Sequence, residues 1–213
     1  MLNNQLESVE IKKAVKALME RDQRLTAIIK MIGPCQLERG PQGFQALANS
    51  IIGQQLSGRS ARAIRARVAA LYKNGSIQSE GILETSLERL RDAGMSLGKA
   101  QCLHSLAQLV VDDEINFLML ETKEDEEVIR ILTQVKGIGR WTAEMFLMFS
   151  LGRLDIFPIN DQSIRSAMIR LYDLNKVNFK SRTSEISDEW RPYRTIASWY
   201  LYRYLDLDTA NQK

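Results

Sequence analysis

The chain has 213 residues, of which 45% are hydrophobic and 26% charged, enough to build one large domain or two small ones around a real core. Lys and Arg number 29 against 26 Asp and Glu, so the net charge of +3 is too mild to demand a polyanionic partner by itself. Four prolines and twelve glycines, with no low-complexity tract and no fixed-period repeat, exclude disordered, collagen-like and solenoid classes.

The first residues, MLNNQLESVEIKK, lack the apolar core of a secretory signal, and no run of about 18 apolar residues exists to span a bilayer, so an intracellular, soluble protein is expected. Residues up to about 31 read as a helical pair, closed by MIGPCQLERGPQG (31–43), with its two prolines and three glycines. Phe44, Leu47, Ile51 and Ile52 then recur at i, i+3, i+7 and i+8, and Leu103, Leu106 and Val110 repeat the helical spacing. Gly94 closes a helix after Leu90 and Ser96 caps the next, while Thr122 with Asp125 resembles a capping box. The polar stretch Asn175 to Ser187 reads as loop, and Ser187 with Pro192 opens a final helix running to about Leu205. Nothing alternates long enough for a sheet, so the expected fold is all-α.

Charge is unevenly spread. Gly43 to Ser79 holds no acid but carries Arg59, Arg62, Arg65, Arg67 and Lys73, whereas Asp112 to Glu127 has eight acids against Lys123. The pattern permits one face toward phosphate and a remote acidic face, although a charge run is also what a solvated helix face looks like. Cys35 and Cys102 stand alone without metal-ligand spacing, which argues for a reducing compartment and against zinc or disulfides. His104 is the sole histidine; it is expected on a helix surface or against phosphate.

The richest stretch is LTQVKGIGRWTAEMF (132–146), where one helix ends at Lys136-Gly137-Ile138-Gly139 and another starts at once. Glycines flanking a single apolar residue let the amides at the next helix N-terminus approach an anion, aided by the helix dipole. A C-cap glycine explains a bare GxG equally well. About twenty residues on, in RLDIFPINDQSIRSAMIR, Asp161 opens an amphipathic helix; it reads as an N-cap or as a catalytic carboxylate, and Asn160 caps equally well on spacing.

GIGRWTAEMF followed by FPINDQSIR resembles the helix-hairpin-helix, Gly/Pro-rich loop and aspartate signature of the helix-hairpin-helix DNA glycosylase superfamily, and within it the 3-methyladenine DNA glycosylase II group. FQALANSIIGQQLSGRSARAI, LRDAGMSLGKAQCLHSLA and WRPYRTIASWYLYRY extend the likeness over roughly residues 10 to 205, in a compact form without the extra N-terminal domain of longer relatives. The resemblance implies two helical subdomains with a cleft between them: residues 1–42 as N-terminal helices packing with the C-terminal subdomain, 43–131 as a helical subdomain with the DNA-wedge loop, and 132–213 as the helix-hairpin-helix and catalytic-aspartate subdomain. It implies a monomer that flips alkylated purines out of duplex DNA and hydrolyses the base–sugar bond, in a bacterial cytoplasm or a nucleus.

Residue by residue, the resemblance makes Asp161 catalytic, stabilising positive charge that develops on the sugar. It puts Trp141, Tyr202 and Met145 in the base pocket, where aromatic faces attract a cationic alkylated ring. Gln55 or Leu56 is the wedge, both readings standing. Lys136, Gly137, Ile138, Gly139, Arg140, Ser57 and Arg59 meet phosphate. Backbone carbonyls of Gln134, Lys136 and Ile138 or Gly139 would hold a structural Na+ or K+; no cofactor is required. Superfamily members that cut the strand carry lysine where this chain has Trp141, so hydrolysis without lyase activity is implied. Iron-sulfur relatives need four C-terminal cysteines, which this chain lacks there. Trp190, Tyr193, Trp199 and Tyr200 are expected on the last helix, as core. Two other classes stay open: a non-catalytic DNA-damage-binding module and a helical interaction protein without DNA function.

Overall fold

The structure, a computed structural model, describes the backbone of residues 2–211 and the side chains of residues 9–207. Among the described residues it contains thirteen helices and no strand: α1 (Leu2–Arg21), α2 (Gln23–Ile32), α3 (Gly43–Gly53), α4 (Gly58–Ala69), α5 (Ser79–Glu84), α6 (Leu87–Asp92), α7 (Leu97–Val111), α8 (Phe117–Thr122), α9 (Asp125–Leu132), α10 (Arg140–Phe149), α11 (Gln162–Tyr172), α12 (Phe179–Glu189) and α13 (Arg194–Asn211). They form two compact units, one of residues 1–38 with 153–213, the other of residues 39–152.

In the first unit α1 and α2 pack together and both meet α13, which also lies along α11. Their core includes Leu18, Leu25, Ile28, Ile164, Met168, Trp190, Tyr200 and Leu201. One half-buried polar node joins the start of α2 to the ends of α11 and α12. Asp22 caps α2 by accepting from Leu25 N at 2.9 Å through Oδ1, and its Oδ2 accepts from Tyr172 OH at 2.6 Å and Trp190 Nε1 at 2.9 Å. Burial, reinforced by that carboxylate, holds the Tyr172 phenol well above its ordinary range. The start of α13 pins the segment that leads to Asp161: Arg194 binds the Asp155 carboxylate at 2.7 Å, and Thr195 Oγ1 donates to Arg153 O at 2.6 Å and accepts from Ile156 N at 3.0 Å.

In the second unit α3 is central, burying Phe44, Leu47, Ile51 and Ile52 as their spacing predicts, and packing on α4, α7 and α10. Each such side chain contributes roughly 1.5–3 kcal/mol relative to exposure. Helices α5 and α6 pack on α7, and α9 packs on α10. Ser57, Ser86 and Ser96 cap α4, α6 and α7 through their hydroxyls.

Several expectations change. The hairpin segment 132–152 belongs with 39–131 rather than with the C-terminal residues, because α10 buries Ala143, Phe146 and Leu147 in the unit where it packs on α3 and α9. Residues 179–189 are helical, where loop was expected: α12 buries Phe179, Thr183 and Ser187 on one face, two of them polar, so hydropathy alone conceals it. The last helix begins at Arg194, past Pro192, and Trp190 is the C-cap of α12. Thr122 Oγ1 donates to Met119 O, closing α8, and Glu124 opens α9, so the capping box does not form.

Candidate nucleic-acid interface and catalytic carboxylate

The hairpin is built by its apolar residues. Leu132, Val135 and Ile138 are buried, and Ile138 N donates to Val135 O at 2.9 Å, closing the turn. Gly137 is required twice over. Its φ of +101° disfavours any side chain, and a Cβ there would lie 2.9 Å from Cβ and Sγ of Cys102. Gly139 is different: a Cβ there meets nothing within 4 Å, so this glycine leaves open space at the N-cap of α10. Its N-cap residue, Gly139, has no side chain with which to cap, and the first-turn amides of a helix lack intrahelical acceptors. An anion therefore has backbone N–H groups and a helix dipole to approach.

Among the residues expected at phosphate, Gly139 and exposed Lys136 lie at this terminus. The amide of Ile138 is engaged inside the turn. Arg140 is held by carboxylates: its Nη2 lies 2.5 Å and its Nη1 3.0 Å from the Glu126 oxygens, and its Nε lies 3.0 Å from Glu144 Oε1. The Glu126 hydrogen bond raises the guanidinium's pKa and lowers that of Glu126. Arg140 thus braces α9 against α10, and part of the acidic run sits at the hairpin instead of on a remote face.

The turn between α3 and α4 carries the wedge candidates. Gln55 is exposed and left-handed, with φ +55°, a conformation worth about 1–2 kcal/mol of strain for a non-glycine residue. Leu56 is also exposed, its amide donating to Gly53 O at 3.2 Å. Ser57 caps α4 by accepting from Ser60 N at 3.3 Å, and Arg59 is exposed on the first turn of that helix. Arg65 and Arg67 instead bind the carbonyls of Asn49 and Ala93 at 3.0 and 2.8 Å. Sequence reasoning missed Gln54. Its Nε2 donates to Gly137 O and to Thr142 Oγ1, both at 3.1 Å, joining turn and hairpin. The pair Gln54-Gln55 was visible, but which of the two faces inward was not.

Trp141 and Met145 stand at i and i+4 on α10, on one half-buried strip beside fully buried Thr142, Ala143 and Phe146. In the first unit, Asp161 is 9% exposed and caps α11: its Oδ1 accepts from Ser163 N at 2.8 Å and from Ile164 N at 2.9 Å. Those two bonds hold the carboxylate in place at the N-terminus of α11. Tyr202 lies half-buried on α13 against the core, in which Trp190, Tyr193, Trp199 and Tyr200 are all buried.

His104 is half-buried and donates from Nε2 to Thr85 O at 2.8 Å, tying α7 to the end of α5. Burial pushes both Cys35 and Cys102 up to about 11, so neither thiol is a nucleophile near neutrality. No helix of the described residues is long and apolar enough to cross a membrane.

Residues 48–192, spanning the turn, the hairpin and Asp161, match the family of HhH-GPD superfamily base excision DNA repair proteins. The chain belongs to this superfamily. It is 34% identical over 201 residues to DNA-3-methyladenine glycosylase 1 of Schizosaccharomyces pombe, covering 90% of this chain and 86% of that one. Alkylbase DNA glycosidase-like protein mag2 of the same organism is 29% identical over 208 residues, 95% and 98% of the two chains. Among solved structures, the Schizosaccharomyces pombe 3-methyladenine DNA glycosylase Mag1 in complex with abasic DNA superposes with a TM-score of 0.83 at 34% identity, over 90% of this chain and 95% of that one.

Proposed function

We infer that this HhH-GPD protein is a DNA glycosylase that excises alkylated purines from duplex DNA by hydrolysis, leaving an abasic site for base excision repair. The observation that carries it is the near-full-length likeness to 3-methyladenine glycosylases, one of them held on abasic DNA, the product such a reaction leaves. A DNA substrate sets the place of action in the compartment that holds the chromosome.

In the mechanism we propose, the amides at the N-terminus of α10 and Lys136 take a backbone phosphate, and Arg59 a second, positioning the duplex without reading sequence. The turn bearing Gln55 and Leu56 enters the space left when the nucleotide is extruded. Trp141, Met145 and Tyr202 receive the base. Alkylation makes the ring cationic, so an indole face attracts it and the neutralised base leaves readily. As the bond to C1′ breaks, positive charge grows on the sugar, and the fixed Asp161 carboxylate stabilises it and orients the attacking water. With tryptophan at position 141, no lysine stands there to form a Schiff base, and the strand stays whole.

The hairpin also fits a monovalent cation. The carbonyls of Gln134, Lys136 and Ile138 accept no hydrogen bond among the described residues, whereas that of Gly139 accepts from Ala143 N at 3.2 Å. Ile138 is therefore the better third donor, and a bound Na+ or K+ would add positive charge beside the phosphate.

The test is release of free base from alkylated duplex DNA, with product strands resolved before and after alkali. Release of 3-methyladenine or 7-methylguanine, with nicking only after alkali, is expected. Salt-dependent duplex binding without release would replace the glycosylase with a damage-binding module.

A further inference from the structure

We propose, building on the glycosylase function above, that Gln54 and Lys99 are positioning residues that lock the exposed 53–56 turn to the 135–139 hairpin, so that phosphate capture and wedge insertion act as one rigid device.

The two loops are far apart in sequence, and Gln54 joins them directly. Both protons of its side-chain amide are used, one on Gly137 O and the other on the hydroxyl of Thr142, each at 3.1 Å. Thr142 is 2% exposed, and the turn that carries Gly137 is closed by Ile138 N donating to Val135 O at 2.9 Å, so both acceptors are held in place. The main chain of Gln54 is held from the other side. Its amide donates back to Ser50 O at 3.1 Å, and its carbonyl accepts from Lys99 Nζ at 2.6 Å. The same ammonium reaches Ile52 O at 2.9 Å, so a half-buried cation gathers two carbonyls at the C-terminal end of α3, where helix carbonyls lack partners.

The residue held in this way immediately precedes the strained one. Gln55 keeps its left-handed conformation only if its surroundings over-determine it, and the three-point grip on Gln54 supplies that constraint. A hairpin displaced by DNA phosphate therefore moves the tip of the turn with it. Methionine at 54 keeps the length and loses both donors, and methionine at 99 loses the ammonium.

The test is a double-mutant cycle on binding to a duplex with one tetrahydrofuran abasic analogue beside 2-aminopurine, whose fluorescence reports unstacking. The cycle pairs Lys136→Ala at the hairpin with Gln55→Ala at the turn, in the wild-type and Gln54→Met backgrounds. In the wild type the two losses are expected to depart from additivity by about tenfold in affinity, as for groups in one network. In Gln54→Met they become additive and the 2-aminopurine signal falls, with the thermal midpoint still cooperative. Thr142→Val, which removes one acceptor and leaves Gln54 in place, and Lys99→Met are each expected to reduce the coupling. Unchanged coupling and signal in folded Gln54→Met, or in Thr142→Val should the former not fold, overturns the proposal. The cycle reads binding alone, so absence of base release by the wild type would count against the glycosylase function and leave this result standing.

Discussion

Gly137 and Gly139 look equivalent in the motif, yet the structure gives them different work. Gly137→Ala forces a Cβ against Cys102 at a positive φ, so it is expected to lower stability by about 1–3 kcal/mol in urea titrations. Gly139→Ala adds its methyl to open space with φ −92°, so the fold should lose less than about 1 kcal/mol while duplex affinity drops, because the methyl blocks the approach to the α10 amides. Fluorescence anisotropy with a labelled duplex checks the second; unchanged affinity would remove the phosphate role of this terminus. The cap of α11 was only partly readable in the sequence: capping is local, yet Asn160 and Asp161 fit it equally, and the structure gives it to Asp161 through the amides of Ser163 and Ile164. Gln54 and Lys99 were not readable, since their partners are backbone carbonyls and a hydroxyl up to 88 residues away, which leave no residue-type signature.

At the scale of elements, Arg140 shows how a basic residue beside a phosphate loop can be structural. Arg140→Gln should loosen α9 from α10, at a cost of about 1 kcal/mol or more, since the exposed pair with Glu126 is worth little but the buried Glu144 carboxylate also loses its guanidinium partner. The Arg140 hydrogen bond depresses the Glu126 carboxyl, so the pair's contribution is complete above the ordinary glutamate value of 4.5 and fades as pH falls below it. The stability gap between wild type and Arg140→Gln is therefore expected to narrow in acid, read by urea midpoints from pH 7 to pH 3; a gap that stays constant or widens would contradict this. Helices with a clear apolar stripe or a serine cap were legible, as α3 and α7 show. Helix α12 was not, because Thr183 and Ser187 occupy its buried face and a composition-based reading sees only polarity.

Over the whole molecule, the modest net charge conceals a sorting of cations by use. Arg65 and Arg67 bind carbonyls within their own unit, Arg140 binds acids, and Arg59 and Arg62 are exposed and form no ion pair among the described residues. Arg59→Ala and Arg62→Ala are each expected to flatten the dependence of log affinity on log salt by about 0.9, whereas Arg67→Ala should leave that slope unchanged and lower stability. The all-helical class followed from periodicity, but the boundary between units did not. The hairpin is the signature that suggested a domain start, while its burial against α3 and α9 makes it the end of one. Single-turnover release from alkylated duplex DNA, with wild type beside Asp161→Asn, reads whether the carboxylate fixed at the start of α11 drives base excision. Asparagine caps a helix as well as aspartate, so the variant should melt with the wild type while its rate falls by about 10²-fold or more; an unaltered rate in the folded variant would contradict the account.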